Sequence, residues 1–292
     1  MDRGLKVLSL FDGISCGMVA LERAGIKVER YIAYEIDKNA IMVSQDNYPN
    51  IEHCGDVTTA DFTQYKGFDL VIGGSPCQDL CGMGSGEGLS GEKSRLFYEY
   101  LRALKEVKPK YFLLENNKSM SEQNKDKISS MLNCEPILIN SADFSAQTRK
   151  RYYWTNIQVG EFTSKNIVLA DIMQINVKRE DVTEKIYKYV ESGMYKGRKI
   201  EKTTKNSIRL PEQQSRTIGT FAYDISSNTG ISLKIGEKYF KPTQVEFERL
   251  QTLPDGYTSA LPIKKAVFAI GNSWTVDVIA HILSFIPKED AK

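Results

Sequence analysis

The sequence has few of the residues that define a secreted, metal-binding or membrane-spanning protein. It contains five cysteines in 292 residues, which is too few, and an odd number, for a disulfide framework. These cysteines lack the spacing of a zinc site, so no metal is predicted. No apolar run approaches the ~20 residues that a membrane span needs, and no signal peptide precedes the first strand-like run. We therefore expect a soluble, cytoplasmic protein that contacts no membrane.

An excess of one charge is also missing. The formal net charge is +2, too small to indicate a nucleic-acid partner by itself. Basic residues nevertheless concentrate in residues 193–209, against one Glu201. They are Lys196, Arg198, Lys199, Lys202, Lys205 and Arg209. A single basic run is most often a solvated loop, and the alternative is a surface that contacts the backbone phosphates of a nucleic acid.

The first 157 residues alternate between short β-rich runs and amphipathic helical runs. The strand-like runs are 7–11, 28–34, 68–72, 111–114, 137–139 and 152–154. Strands that alternate with helices predict an α/β fold with a doubly wound, mostly parallel sheet.

The alternation stops after this region. We expect residues 1–157 to form the α/β domain and residues 158–240, which are polar and basic, to form a small inserted domain. Apolar helical spacing returns in residues 241–292, which we expect to pack back on the α/β domain.

Ligands of open α/β sheets bind beyond the carboxyl ends of the strands, and three of these ends suggest a nucleoside site. The turn Phe11-Asp12-Gly13-Ile14-Ser15-Cys16-Gly17 has glycines that let the backbone approach a ligand, although a purely structural turn is an equal alternative. Glu35 closes the second strand, where a carboxylate could accept both ribose hydroxyls. Asp56-Val57 could bind an adenine amino group. Their alternatives are a surface carboxylate and a plain turn.

A fourth strand end, Ser75-Pro76-Cys77, could present a thiolate nucleophile, although a lone cysteine is more often a packing residue. His53 and His281 are the two histidines, and neither offers itself as a base, which disfavours a cysteine protease. A thiolate that adds to an electrophile remains open. Glu115 follows the next apolar strand and could donate a proton to that electrophile near neutral pH.

Taken together and in order, Pro76-Cys77, Glu115-Asn116 and Gln147-Thr148-Arg149-Lys150-Arg151 resemble the DNA (cytosine-5) methyltransferase family. The resemblance covers nearly the whole chain. Within the family, the motif residues are most similar to those of the branch that contains the animal de novo enzymes. It implies a Rossmann-like fold that uses S-adenosylmethionine, with a target recognition domain inserted before the C-terminal helix. The implied cofactor-binding residues are Phe11, Asp12, Gly13, Ile14, Ser15, Gly17, Glu35, Ile36, Asp56, Val57, Pro76, Asn272, Ser273 and Trp274.

The resemblance also implies four catalytic residues. The Cys77 thiolate would add to C6 of a flipped-out cytosine, and Glu115 would hold or protonate N3. Arg151 would bind O2, and Arg149 would support this geometry or Glu115 itself. The glycine-rich residues 78–91 would form a lid over the flipped base.

Double-stranded DNA is the expected partner, and the short insert suggests a site of about two to four base pairs. The residues expected to contact DNA are Gln78, Ser85, Lys196, Arg198, Lys199, Lys202, Arg216 and Thr217. We expect a monomer, either an orphan enzyme or the modification half of a restriction system with a separately encoded endonuclease.

Three alternatives are weaker. A transfer-RNA cytosine-5 methyltransferase would carry a Cys-Phe-Thr segment in the insert, and none is found there. A catalytically silent DNA-binding homologue would lose Pro76-Cys77 or Glu115-Asn116, and a nicotinamide-dependent oxidoreductase would need Gly-x-Gly-x-x-Gly. One departure from the family pattern is Asn117, where a hydrophobic residue is usual, and we expect activity to survive it.

Overall fold

The computed structural model describes residues 4–75, 96–192, 194–195, 198–199, 208–225, 227 and 229–287. The chain divides into two compact units. The first contains residues 1–139, 150–161 and 277–292, and the second contains residues 140–149 and 162–276. The expected three-part division at residues 157 and 240 stays a prediction.

The first unit is built on a seven-stranded sheet in the order β3-β2-β1-β4-β5-β7-β6. Its strands are β1 (Leu5–Leu10), β2 (Val28–Tyr34), β3 (Glu52–His53), β4 (Leu70–Gly73), β5 (Tyr111–Asn117), β6 (Ile137–Asn140) and β7 (Lys150–Thr155). β1 pairs in parallel with β2 and β4, and β4 pairs in parallel with β5. β7 runs antiparallel to β5. The predicted doubly wound, mostly parallel sheet is therefore confirmed.

Helices connect the strands of this sheet along the chain. They are α1 (Cys16–Arg23), α2 (Lys38–Asn47), α3 (Leu96–Val107) and α4 (Glu122–Leu132). The central strand β4 is buried at every position, as expected for a parallel strand covered on both faces. Trp154 of β7 is fully buried in the core, and its indole N–H donates to Ser129 Oγ at 3.0 Å. This core fixes the carboxyl ends of β1, β4 and β5.

The second unit contains smaller elements. They are α5 (Leu169–Ile172), α6 (Thr183–Ser192), β8 (Met194–Tyr195), β9 (Arg198–Lys199), β10 (Ile208–Arg209), β11 (Ser232–Ile235), β12 (Lys238–Phe240), α7 (Gln244–Leu250) and α8 (Ile263–Asn272). A last helix, α9 (Val276–Leu283), belongs to the first unit except for its first residue. β8 and β9 form an antiparallel hairpin, and β11 lies between β10 and β12. Val182, Ile186 and Ile225 form a small core of their own.

Residues 263–283 correct one expectation from the sequence. By length and composition alone this segment could cross a membrane, so an apolar run of about that length is present. However, 72% of its most apolar window is buried in the fold, and α8 ends before Ser273. Burial inside a folded chain accounts for its apolar character, because core helices pass the same test.

Candidate active site

The turn between β1 and α1 has an unusual backbone. Phe11, Gly13 and Ser15 all have left-handed conformations, with φ of 59°, 61° and 58°. Two of them are not glycine, and such residues need their surroundings to hold them there. The Asp12 N–H donates to the Tyr34 carbonyl at 3.1 Å, and the Ser15 N–H donates to the Asp12 carbonyl at 3.2 Å. The predicted tight turn is therefore a fixed feature of the fold.

Glu35 is held rigidly where β2 ends. One carboxylate oxygen accepts from the Gly13 N–H at 2.8 Å, and the other accepts from the N–H groups of Ile36 and Asp37, both at 2.8 Å. A carboxylate oxygen has two lone pairs, so Oε2, which accepts one of these bonds, can still accept from a ligand. The Ile36 side chain beside it is 70% exposed, which gives this end of the sheet an apolar surface.

Asp56 lies beyond the end of β3. Its carboxylate accepts from the Thr58 N–H and from the Thr58 hydroxyl, both at 2.8 Å. These bonds, the backbone one first, lower the pKa of Asp56, so it is an ionised acceptor at neutral pH. Val57 beside it is buried. Two fixed carboxylates and the apolar Ile36 fit an adenosine group, which has ribose hydroxyls, an amino group and a flat ring.

Glu115 and Arg151 form an ion pair between neighbouring strands. Asn117 of β5 lies opposite Arg151 of β7, and because side chains two residues apart share a face, Glu115 points the same way. Arg151 Nε lies 2.9 Å from Glu115 Oε1, and the two side chains are 11% and 12% exposed. The same guanidinium donates to the Lys150 carbonyl at 2.9 Å and to Asn117 Oδ1 at 3.4 Å. The Asn117 departure therefore adds a polar contact to Arg151.

Asn116 points to the other face and connects two strand ends. It is 2% exposed, and its amide donates to the Ser75 carbonyl and to Ser75 Oγ, both at 3.3 Å. Its Oδ1 accepts from the Asn117 N–H at 2.7 Å. The Glu115-Asn116 strand is therefore bonded to the residue that precedes Pro76. Pro76, Cys77, Gln78, Ser85 and the rest of the predicted lid lie outside the described residues.

Arg149 belongs to the second unit and has a different environment. It is 5% exposed, and its guanidinium donates to the carbonyls of Ile218 at 3.0 Å, Gly271 at 3.4 Å and Ser273 at 3.0 Å. These bonds join three separate segments of that unit. The geometry is that of a positioning residue, and the predicted catalytic support by Arg149 stays a prediction.

The predicted cofactor residues Asn272, Ser273 and Trp274 also lie in the second unit. Asn272 is exposed, and Trp274 is partly buried. The Ser273 carbonyl accepts from Arg149 and, at 3.2 Å, from the Gln251 side-chain amide. These bonds fix the backbone of the motif.

Sequence reasoning assigned no role to a buried amide network in this unit. Gln147 is fully buried; its amide donates to the Leu250 carbonyl and to Gln251 Oε1, both at 2.9 Å, and its Oε1 accepts from the Ile218 N–H at 2.7 Å. Gln251 Oε1 also accepts from the Thr275 hydroxyl at 2.7 Å. The sequence signal that could have indicated this network is Gln147, an uncharged amide beside the charged residues 149–151.

The predicted DNA-contacting residues are only partly described. The Thr217 hydroxyl donates to the Thr148 carbonyl at 2.7 Å, which ties the Arg216-Thr217 segment to the Gln147–Arg151 motif. Burial and then the charge of the nearby Arg216 lower the pKa of Arg209, which shows that the two guanidinium groups are close enough to repel each other. The backbone of Arg198 and Lys199 forms β9, whereas Lys196 and Lys202 lie outside the described residues. Within the part of the chain that the structure describes, no cluster of three or more His, Cys, Asp or Glu residues could bind a metal.

The fold and this arrangement of strand ends define a Rossmann-like α/β protein. The structure of the Entamoeba histolytica methyltransferase EhMeth shares the fold with a TM-score of 0.80 at 15% identity, covering 98% of this chain and 99% of that one. The profile of the C-5 cytosine-specific DNA methylase family matches residues 5–288. The chain therefore belongs to the C-5 cytosine-specific DNA methylase family.

Two curated relatives show how far the sequence similarity extends. Orphan methyltransferase M.SPRI of Bacillus phage SPR is 30% identical over 193 residues, which is 62% of this chain and 43% of that protein. Type II methyltransferase M1.ScrFI of Lactococcus lactis subsp. cremoris is 27% identical over 300 residues, covering 95% of this chain and 76% of that protein. The chain thus spans less than half the length of the phage relative.

Proposed function

We propose that this protein is a DNA (cytosine-5) methyltransferase that transfers a methyl group from S-adenosylmethionine to C5 of a flipped-out cytosine in a short duplex site. The observation that carries the proposal is the Glu115–Arg151 ion pair on β5 and β7, beside the Asn116–Ser75 bonds that join β5 to the segment leading to Cys77. These contacts bring together the Glu115 carboxyl group, the fixed Arg151 guanidinium and the segment that precedes the proposed nucleophile, all at one end of the sheet.

The first unit supplies a fitting cofactor site. Glu35 would bind the ribose hydroxyls, Ile36 would cover one face of the adenine, and Asp56 would accept from its amino group. S-adenosylmethionine, when bound, supplies a methyl group on a positively charged sulfur. Asn272, Ser273 and Trp274 are proposed as further ligands on the resemblance of their motif.

Three residues act on the cytosine in this proposal. The Cys77 thiolate attacks C6, which makes C5 nucleophilic as the C5–C6 double bond opens. A proton from solvent, held between the Glu115 carboxylate and N3, neutralises the charge that develops on the ring as the thiolate adds, and it returns to solvent when the thiolate leaves. Arg151 donates to O2. After C5 is methylated, a base removes the C5 proton and the thiolate leaves, which restores the double bond. Arg149 acts at a distance by fixing the segments around Ile218 and Ser273.

The ion pair suits this work because it is both shielded and fixed. Glu115 and Arg151 are largely removed from water, where electrostatic interactions with a bound base are stronger. Arg151 keeps its orientation through the Lys150 carbonyl and Asn117, so its position is set before a base arrives. The basic residues 196–209 and Arg216 would contact DNA phosphates.

Methyl transfer tests the proposal directly. Purified protein is incubated with labelled S-adenosylmethionine and either mixed-sequence duplex DNA or transfer RNA, followed by nucleoside analysis and bisulfite sequencing. We expect 5-methylcytosine in one recurring DNA context, and none with Cys77→Ser. Label in transfer RNA alone would support the RNA methyltransferase alternative. Specific DNA binding without label in either substrate would support the silent homologue.

A further inference from the structure

A chain of short hydrogen bonds runs beneath the β1–α1 turn, and the proposed reaction does not use it. The Tyr31 hydroxyl donates to Asp12 Oδ1 at 2.7 Å, and the Ser15 hydroxyl donates to Asp12 Oδ2 at 2.5 Å. Ser15 Oγ lies 2.5 Å from Ser44 Oγ, which lies 2.9 Å from His53 Nε2. Four of these residues, Tyr31, Asp12, Ser15 and Ser44, are buried. The chain connects the turn to α2 and β3 within the first unit.

Counting hydrogens sets the direction of this chain. A serine hydroxyl has one hydrogen, and Ser15 donates it to Asp12, so Ser15 must accept from Ser44. Ser44 has then spent its own hydrogen and must accept from His53 Nε2–H. With Asp12 ionised, His53 therefore carries a hydrogen on Nε2, and it is neutral when Nδ1 carries none. Its Nδ1 is buried and has no hydrogen-bond partner among the described residues.

An additional proton changes this arrangement. On His53 Nδ1 it would create a charged imidazolium with a buried N–H, which costs free energy. On Asp12 it would reverse the donors along the chain. Burial is the main cause that lowers the pKa of His53 and raises the pKa of Asp12. The charged groups that face His53 from other elements are Asp12 and Glu35, and Glu52 and Cys54 flank it on its own segment.

The middle of the chain is a residue whose backbone needs support. Ser15 has a left-handed backbone with φ 58°, a conformation that costs a non-glycine residue free energy. Its hydroxyl is held on one side by Asp12 and on the other by Ser44. Gly13, two residues earlier, donates its N–H to Glu35. A change at Ser15 is therefore transmitted through the turn to the proposed ribose ligand.

We propose that His53, acting through Ser44 and Ser15, is a positioning residue that holds the β1–α1 turn in its cofactor-binding conformation, and that protonating this chain weakens cofactor binding. The inference rests on the proposed function, because it takes the turn and Glu35 as the cofactor site. Three of its residues, Tyr31, Ser44 and His53, were not among the expected ligands.

Equilibrium binding of S-adenosylhomocysteine to the full chain tests the inference without any methyl transfer. Calorimetric titrations from about pH 5.5 to about pH 8 bracket the ordinary histidine pKa. We expect the wild-type affinity to hold at the alkaline end of this range and to fall towards its acid end, because burial lowers the pKa of His53 below the ordinary histidine value. Ser44→Ala, which breaks the chain, should bind about five-fold more weakly at about pH 8, because, of the two bonds that it removes, the one to Ser15 supports the turn, and one buried hydrogen bond contributes about 1 kcal/mol.

A second variant separates positioning from folding. His53→Gln retains a side-chain N–H for Ser44 but cannot become charged, so we expect affinity within about two-fold of wild type at about pH 8 and no loss on acidification. His281→Gln is the matched control, because His281 is the other histidine and contacts the Gly160 carbonyl on a different part of the first unit. It should keep the wild-type profile. Circular dichroism verifies that each variant is folded.

The possible failures are distinguishable. Wild-type affinity and an unchanged pH profile in both Ser44→Ala and His53→Gln would overturn the inference alone. No binding by the wild-type chain at any pH would overturn the proposed function, and the inference with it.

Discussion

Replacing Arg149 by methionine should destabilise the protein strongly. Methionine keeps an unbranched apolar stem but removes every donor, which leaves the carbonyls of Ile218, Gly271 and Ser273 without this partner. Hydrogen bonds from a charged donor contribute about 1.5–3 kcal/mol each. Counting the two bonds at 3.0 Å fully and neglecting the one at 3.4 Å, we expect a loss of about 3–6 kcal/mol in the free energy of unfolding. This is a large fraction of the ~5–15 kcal/mol of a typical domain.

Urea denaturation without cofactor or DNA measures this loss. Lys150→Met is the matched control, since Lys150 is the next residue and its side chain is exposed, so it should change stability by less than about 0.5 kcal/mol. An Arg149→Met variant as stable as wild type but without methyl transfer would refute the positioning role. It would place Arg149 among the catalytic residues that the resemblance implies.

Four further predictions address the site and its surroundings. Glu115→Gln should lower the methyl-transfer rate by about 10²–10⁴-fold while S-adenosylhomocysteine binding stays unchanged; equal loss of both would contradict its role. Asn117→Leu should lower the methyl-transfer rate by less than about tenfold, because Arg151 keeps its 2.9 Å contact with Glu115. A larger loss would show that Asn117 is essential. Lowering the pH below about 6.5 should reduce the free energy of unfolding, because the pKa of His53 is lowered in the folded chain, so the unfolded chain takes up a proton that the folded chain does not. The measurement compares the pH dependence of unfolding in wild type and His53→Gln, and the same dependence in both would refute the prediction. Lys199→Ala should weaken binding to all duplexes alike and lower the salt slope by about one, whereas an unchanged slope would return this segment to a solvated loop.

The parallel core of the sheet could be predicted because its information is local. Residues 70–73 form a short apolar run that ends in glycine, residues 28–34 are followed by Glu35, and residues 111–117 end in polar side chains. Period and composition identify such strands. The antiparallel insertion of β7 beside β5 depends on long-range pairing, which no local pattern specifies, so it could not be predicted.

The roles of neighbouring residues were harder to separate. Arg149 and Arg151 stand two positions apart and were assigned to one catalytic cluster. The structure gives Arg151 a carboxylate partner and gives Arg149 carbonyl partners 69 to 124 residues away. His53 was considered only as a missing base, because its contact with Ser44 and the turn follows from the packing of α2 and β3. Hydrogen-bond partners so distant in sequence leave no periodic signal.

The proposed methyl transfer depends most directly on a covalent bond between Cys77 and the cytosine ring. A duplex in which 5-fluorocytosine replaces cytosine traps such an adduct, because the fluorine at C5 cannot be removed as a proton would be. Incubation with S-adenosylmethionine followed by peptide mass mapping should show one modified peptide that contains Cys77, and none with Cys77→Ser. A protein that methylates ordinary duplex DNA but forms no adduct, or that forms one with Cys77→Ser, would contradict the account.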